Sequence, residues 1–354
     1  MDYKHGGNIY ALENIESIVD FSSNINPLGP PANLKQEVLE ACHIIEQYPD
    51  PSYTDMRKKL EELYGLDKDN FVVGNGGIQV IHNVIEFLEF TKALIIVPTF
   101  VEYEKALERF NKLFDYYFLE EEDDFILNPK ALLRSDLSDI DLIILCTPNN
   151  PTGAYIDKKD LIELVDTLNQ LNKKILIDEA FIDFLDDGMS MMNQISIYNN
   201  LIITRSITKF FAVPGLRLGF LATSNKALVN NINQYRESWS VNIFANQLFL
   251  KLFKNDKYIQ ETKKLIVGGR DRLYNQLKEF PQLKVYKPSV NYVFFKSEVA
   301  IPWKEELLKF NILIRHCDNY VGLDDQFYRV AVKSKVQNDL LIEVMNKIVE
   351  VFNE

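Results

Sequence analysis

Twelve consecutive residues carry the strongest chemical signal in the chain: Ser206-Ile207-Thr208-Lys209-Phe210-Phe211-Ala212-Val213-Pro214-Gly215-Leu216-Arg217. A lysine after an apolar run, with hydroxyls just before it and an arginine eight residues later, suits carbonyl chemistry beside a phosphate cradle. The amine can form an imine, while the hydroxyls and Arg217 can bind the anion. A lone lysine in a turn is more often a plain surface residue. Arginine is scarce here, ten residues against 29 lysines, so its recurrence beside motifs adds weight. A second segment, Ile175-Leu176-Ile177-Asp178-Glu179, delivers a carboxylate at the end of an apolar run. Buried there, Asp178 needs a cationic or protonated partner, although a strand-terminal acid pair can equally cap a helix. A third, Cys146-Thr147-Pro148-Asn149-Asn150-Pro151-Thr152-Gly153, is built of turn-formers throughout. Within it Asn150 can donate a hydrogen bond to a phenolic oxygen. The fourth, Gly74-Asn75-Gly76-Gly77, opens a helical pattern and can offer backbone amides to a phosphate.

Each segment follows an element that has to hold it in place. Short apolar runs at Phe71–Val73, Ala93–Val97, Leu142–Cys146, Lys174–Ile177, Leu201–Thr204 and Leu216–Ala222 read as strands. Helical patterns at Val80–Phe90, Tyr103–Phe110 and Lys159–Leu171 separate several of them. Continuous apolar runs joined by helices indicate a mostly parallel sheet covered on both faces. Ligands of such sheets bind at the carboxyl ends of strands, where all four segments fall. The first thirty residues read as an irregular arm ending in Asn26-Pro27-Leu28-Gly29-Pro30-Pro31. A helix then carries Leu34, Val38, Leu39, Cys42 and Ile45, with Asn33 as its expected N-cap. After about residue 240 the texture changes to long helices, through Gln247–Lys254 and Tyr258–Phe280. Strands at Tyr292–Phe295, Ile312–Ile314 and Tyr328–Val332 and a helix at Asn338–Phe352 complete the chain. The expected division is a large α/β domain over 48–240 and a smaller α+β domain from 1–47 and 241–354.

Composition narrows the function further. The 354 residues include 39 basic and 51 acidic side chains, a net charge of −12 with no compensating basic stripe, which argues against nucleic acid or an anionic membrane as partner. No apolar run approaches the ~20 residues of a membrane span, and the first residues lack the apolar stretch of a signal peptide. Three scattered cysteines exclude a disulfide framework, and four histidines show no metal-ligand spacing. A cytoplasmic enzyme is expected, without a metal. His43 and His82 read as packed or solvated, Tyr103 as a helix residue near the site, and Glu120–Asp124 as a solvated acidic loop face.

In order and approximate spacing the four segments resemble the fold-type I enzymes dependent on pyridoxal 5'-phosphate (PLP), over essentially the whole chain. The resemblance is strongest to the histidinol-phosphate aminotransferase-like branch, and within it to the decarboxylases of threonine phosphate in cobalamin synthesis. His5-Gly6-Gly7-Asn8, Asp20-Phe21-Ser22-Ser23-Asn24-Ile25-Asn26-Pro27-Leu28-Gly29, Asp178–Phe184, Trp239-Ser240-Val241-Asn242 and Ile312-Leu313-Ile314-Arg315 carry it, with Tyr320–Asp324 and Tyr328-Arg329-Val330-Ala331. It implies a seven-stranded large-domain sheet between helices. It also implies Lys209 as the Schiff-base lysine, Asp178 as partner of the pyridine nitrogen, Asn150 on the phenolate oxygen and Phe100 stacked on the ring. The cofactor phosphate would be held by the Gly77 and Ile78 amides, Ser206, Thr208 and Arg217, and by Tyr48 from the other subunit of a homodimer. Arg329 would clamp the substrate carboxylate bidentately, with His5, Asn24 and Arg315 on the substrate phosphate. Phe181 stands where transaminases of the branch usually have tyrosine, and resembles the decarboxylases in this. Gly77-Ile78-Gln79 departs from the usual acidic pattern beside the phosphate loop. The implied reaction is decarboxylation of a small phosphorylated amino acid, L-threonine O-3-phosphate. The alternative is transamination of histidinol phosphate or a related amino acid, and a PLP-binding regulator fits poorly.

Overall fold

The computed structural model describes residues 5–12, 15–253 and 255–353; the parts of the expected arm and helices that fall on 1–4, 13, 14, 254 and 354 lie outside the described residues. The arm contributes a two-residue strand, β1 (Val19–Asp20), before helices α1 (Leu34–Ala41) and α2 (Thr54–Tyr64). Strands β2 (Phe71–Asn75), β3 (Lys92–Val97) and β4 (Leu113–Phe118) follow, with α3 (Gly76–Phe87) and α4 (Glu102–Arg109) between them. Then come α5 (Pro129–Arg134), β5 (Leu142–Cys146), α6 (Lys158–Gln170), β6 (Lys174–Asp178), β7 (Leu201–Ser206) and β8 (Leu218–Thr223). Helices α7 (Lys226–Tyr235), α8 (Ile243–Leu252) and α9 (Asp256–Lys278) lead to β9 (Leu283–Val285) and β10 (Tyr292–Ser297). The chain closes through α10 (Trp303–Leu308), β11 (Ile312–Leu313), β12 (Arg315–His316), β13 (Phe327–Ala331) and α11 (Lys335–Asn353).

The large sheet has seven strands in the order β2-β8-β7-β6-β5-β3-β4. Only β8 runs against its neighbours, so β2, β3, β5, β6 and β7 all point their carboxyl ends to one side. Side chains alternate across a strand, and this sheet buries both faces. Ile143 and Leu145 of β5 enter one core cluster, while Leu142, Ile144 and Cys146 enter another; Ile175 and Ile177 face away from Leu176 in the same way. That double burial is why these strands are unbroken apolar runs, each Ile or Leu contributing about 1.5–3 kcal/mol. A second sheet, ordered β12-β13-β10-β9, is antiparallel throughout. The arm is stitched to this end of the chain, since β1 pairs parallel with β11 and Phe21 O accepts from Ala331 N at 2.8 Å.

Several expectations need correction. Asn33 lies in helical conformation and its side chain caps nothing. The first helix stops at Ala41, and of its expected apolar stripe Leu39 and Ile45 are exposed. The expected strand from Leu216 begins at Leu218, because Pro214–Leu216 forms a 3-10 turn and Arg217 has φ 56°. Strand β4 had no counterpart in the apolar pattern. The Glu120–Asp124 stretch is not merely solvated: Glu121 pairs with Lys284 at 3.0 Å and Lys296 at 2.9 Å and accepts from the Tyr286 hydroxyl at 2.9 Å. Burial would raise its pKa, but the lysines and the tyrosine outweigh it and hold the carboxyl down to about 2.

Candidate active site

A cavity of about 460 Å³ opens at the carboxyl ends of the large sheet. Its floor follows from the sheet's direction. Strand β6 ends in Asp178, β7 in Ser206, β5 in Cys146 with Asn150 just beyond, and β2 runs straight into α3. Twelve of the fourteen expected site residues line it: His5, Asn24, Gly77, Ile78, Phe100, Asn150, Asp178, Ser206, Thr208, Lys209, Arg217 and Arg329.

The floor is built around Asp178, which is buried, and Lys209, which is half-buried. Burial pushes the Asp178 carboxyl up, while hydrogen bonds and the nearby Lys209 charge oppose the rise. Its Oδ1 accepts from Ala180 N at 3.1 Å and its Oδ2 from the Tyr103 hydroxyl at 2.6 Å. Burial lowers the Lys209 ammonium, with Asp178 working the other way and Arg217 reinforcing the drop. Lys209 Nζ donates to Ser206 Oγ at 3.0 Å, which in turn lies 3.0 Å from Thr208 Oγ1.

Beside them the first turn of α3 packs on β8 without side chains between. A Cβ on Gly219 would stand 2.6 Å from Gly77 N, and one on Gly76 2.5 Å from Arg217 Nη2. Gly76 also has φ +83°, a conformation L side chains rarely adopt. The result is a pocket edged by helix amides, two hydroxyls and a guanidinium, the donor set an oxyanion needs.

The opposite wall comes from the two ends of the chain. Arg329 of β13 is buried; its Nη1 donates to Asn150 Oδ1, its Nη2 to Ser22 O at 2.8 Å, and its Nε has no partner. Tyr320 also donates to Asn150 Oδ1, at 3.3 Å, which leaves the Asn150 amide NH2 as the group it can offer to the cavity. Asn24 is buried with Oδ1 unpartnered. Asp20 organises this segment by accepting from the Ser22 and Ser23 hydroxyls, both at 2.5 Å. The arm closes over the top, where Gly7 N donates to Ser22 Oγ at 2.8 Å and His5 Nε2 meets Glu102 Oε1 at 2.8 Å. The His5 hydrogen bond, opposed by burial and aided by Lys105, holds the Glu102 carboxyl down to about 2.

A family model described as aminotransferase class I and II matches residues 16–348. The chain belongs to that family. It is 34% identical over 350 residues to the threonine-phosphate decarboxylase of Salmonella typhimurium, spanning 97% of this chain and 96% of that one. Among solved structures, the histidinol-phosphate aminotransferase of Clostridium acetobutylicum superposes with a TM-score of 0.87 at 34% identity, covering 93% of this chain and 98% of that one. The L-threonine-O-3-phosphate decarboxylase of Porphyromonas gingivalis gives 0.85 at 22% identity, over 94% and 100%, and bears on the fold alone.

Two expected site residues stand apart from the cavity of this aminotransferase-family chain. Tyr48 is 79% exposed and its ring lies 4.7 Å from that of Trp239. Arg315 is buried behind the wall, bonded to Asn319 with its guanidinium 5.1 Å from the centre of the Tyr320 ring. Conversely, Tyr103 is no ordinary helix residue, and Glu102, Asp20, Ser22 and Tyr320 were absent from the expected set. Glu102 and Tyr103 follow Pro98-Thr99-Phe100 at the carboxyl end of β3, so the strand-end rule that found the other segments also pointed here.

Proposed function

We propose that the chain is a PLP-dependent carboxy-lyase that converts L-threonine O-3-phosphate to (R)-1-aminopropan-2-yl phosphate for cobalamin synthesis, in the cytoplasm and as a homodimer. Arg329 carries the reading. It is a buried guanidinium on the cavity wall with an unpartnered Nε, and among the described residues no carboxylate forms an ion pair with it. A buried cation without an anion is costly, so the site is organised for a ligand carboxylate.

The residues also fit the cofactor. The glycine-lined turn, the hydroxyls of Ser206 and Thr208 and Arg217 suit a phosphate, and Asp178 is a buried carboxylate whose raised pKa calls for a cation. When bound, PLP supplies a carbonyl that captures amines and a protonated ring nitrogen that draws off the electrons left by a departing carboxylate. Asp178 would pair with that nitrogen, the Asn150 amide with the phenolic oxygen, and Phe100 would cover the ring. The depressed pKa of Lys209 raises its neutral fraction, the form that attacks a carbonyl. Lys209 is the one lysine among the described residues lining the cavity, which supports its role as the group that would deliver a proton to the carbon that loses carbon dioxide. Arg329 would hold the carboxylate until it leaves, and His5, Asn24 and Arg315 would bind the substrate phosphate. Arg315 has to swing past Tyr320 to do so. Exposed Leu39, Ile45, Tyr48, Tyr235 and Trp239 supply apolar surface for a second copy, whose cofactor phosphate Tyr48 would reach.

Similarity to the Clostridium acetobutylicum enzyme supports a second reading, transamination of histidinol phosphate with 2-oxoglutarate. Phe181 weighs against it by lacking a hydroxyl on the cavity wall. Incubating the purified protein with each substrate separates the readings. One carbon dioxide released per threonine phosphate, without a 2-oxo acid, is expected. Turnover only of histidinol phosphate, and only with 2-oxoglutarate, would overturn the decarboxylase.

A further inference from the structure

The hydroxyl of Tyr103, buried behind the cavity floor, bonds to Asp178 and has no task in the expected machinery. It comes from the first turn of α4, and both it and Asp178 are buried. Its 2.6 Å bond to Asp178 Oδ2 lies in the short range of hydrogen bonds to charged oxygen. We infer that Tyr103 is a positioning residue that keeps the Asp178 carboxylate ionised and aimed into the cavity. This rests on the reading of Asp178 as partner of the cofactor nitrogen.

The chemistry follows from what surrounds the pair. A carboxylate away from water reverts to the neutral acid unless donors hold its charge, and a neutral acid cannot pair with a pyridinium. Oδ1 has one backbone donor, Ala180 N, while Oδ2 has the phenol. Burial and the charge of Asp178 push the Tyr103 hydroxyl well above its ordinary range, so it stays a donor at any working pH. Cys146, on the same wall, has its thiol pushed up to about 12 by burial and adds no charge. Tyr103 is also held rigidly, edge-on to Phe100 with ring centres 5.8 Å apart at 84°. Thus one turn of α4 and the loop before it fix both the residue meant for the ring's face and the donor behind the ring nitrogen's partner.

Tyr103→Phe removes the donor and keeps the ring in the core. The test titrates the apoproteins of parent, Tyr103→Phe, Asp178→Asn and the double variant with PLP, following the visible band and its equilibrium constant. Melting temperatures of the apoproteins are measured alongside. Parent that forms no lysine-linked visible band defeats the cofactor reading itself, separately from this inference. Given binding by the parent, Tyr103→Phe is expected to weaken it roughly 10- to 100-fold, as loss of a hydrogen bond to a charged group does. It should also shift the visible band and lower kcat while leaving KM within about twofold, because the defect lies in electron withdrawal and not in substrate binding. In the Asp178→Asn background the same change should cost less than about threefold, since no charge remains to hold. An unchanged affinity and band in Tyr103→Phe would overturn the inference. So would an equal loss in the Asp178→Asn background, which would make Tyr103 a packing residue. Both backgrounds lose the same hydroxyl and keep the same ring, so a general fall in apoprotein melting temperature cancels between them.

Discussion

Replacing Gly219 with alanine asks whether the anion cradle depends on backbone contact between β8 and α3. The added Cβ would lie 2.6 Å from Gly76 C, 2.6 Å from Gly77 N and 2.9 Å from Gly76 O. Non-bonded carbon sits comfortably at about 3.5–4.0 Å, so something has to move by about 1 Å. The obstructing atoms are backbone, with no flexible side-chain end to yield. Overpacking of this kind costs about 1–3 kcal/mol, or about 2–4 °C of melting temperature per kcal/mol for a chain somewhat smaller than this one. The larger effect should be functional, because the displaced atoms carry the Gly77 amide itself. Misplacing a positioned group by about 1 Å can cost about 100-fold, so PLP affinity should fall at least tenfold, out of proportion to the loss of stability. Gly215→Ala is the control: its Cβ would meet nothing within 4 Å. Melting curves and absorbance titration with PLP on both variants decide the matter. If Gly219→Ala matches Gly215→Ala in both measurements, the cradle does not depend on this contact and the packing argument is wrong.

Borohydride reduction of the holoprotein followed by mass spectrometry should find the pyridoxyl group on Lys209; a label on any other lysine defeats that assignment. Tyr48→Phe should weaken cofactor retention by about 0.5–1.5 kcal/mol, the value of one neutral hydrogen bond, and a fully active monomer in sedimentation would contradict its role across subunits. Arg329→Ala should depress kcat/KM for every amino-acid substrate while sparing phosphorylated amines that lack a carboxylate, and equal losses on both would remove the clamp. For Glu121 the folded pKa lies at about 2, below the ordinary 4.5, so its contribution to stability is complete above about pH 4.5 and is lost as pH falls toward 2. Glu121→Gln should therefore flatten the acid limb of the melting temperature over that window, and a limb as steep as the parent's would show the pairing to be inert.

What the sequence revealed, and what it hid, divides along physical lines. Strands β5, β6 and β7 were legible because burial on both faces leaves only apolar residues in them. Strand β4 escaped because it is the edge strand, where Leu113 and Phe118 are exposed and Asp115 faces out to pair with Lys92 at 2.6 Å. Helix α2 escaped because only Met56 and Leu60 of its eleven residues are buried, too few to draw a stripe. At the site, Lys209, Asp178 and the glycine turn were legible since strand ends deliver them together. The Glu121 cluster was not, because its partners lie 163 and 175 residues away and charge alone does not name them. Tyr103 was hidden for a different reason: helical spacing places it on α4, but an apolar stripe says nothing about where the hydroxyl at its edge ends up.

The cavity's two halves differ in how the fold secures them, and that difference bears on how a family of one fold comes to do two reactions. Asp178, Ser206, Lys209 and the α3 turn hang on neighbouring strands of one sheet, so their mutual geometry is set by ladder hydrogen bonds and double burial. His5, Asp20, Ser22, Asn24 and Arg329 come from opposite ends of the chain and meet through a two-residue parallel pairing, the Phe21 O–Ala331 N bond and the Arg329–Ser22 contact. Further along, the arm is tied to the floor, where Asn26 N donates to Lys209 O at 3.1 Å. It is therefore substitution at the arm's tip, around His5 and Gly6, that would change how a substrate is turned while leaving the floor in place. Which bond breaks depends on that turn: a carboxylate held perpendicular to the ring leaves, whereas a Cα–H held there is abstracted. Gly6 shows how closely the arm is fitted, since a Cβ there would lie 2.1 Å from Ser22 O. The arm's seat on Ser22, beside Arg329, is accordingly the place to test by substitution. Gly6→Ala should change the ratio of carbon dioxide release to amino transfer, and an unchanged ratio would show that the arm does not set the substrate's turn.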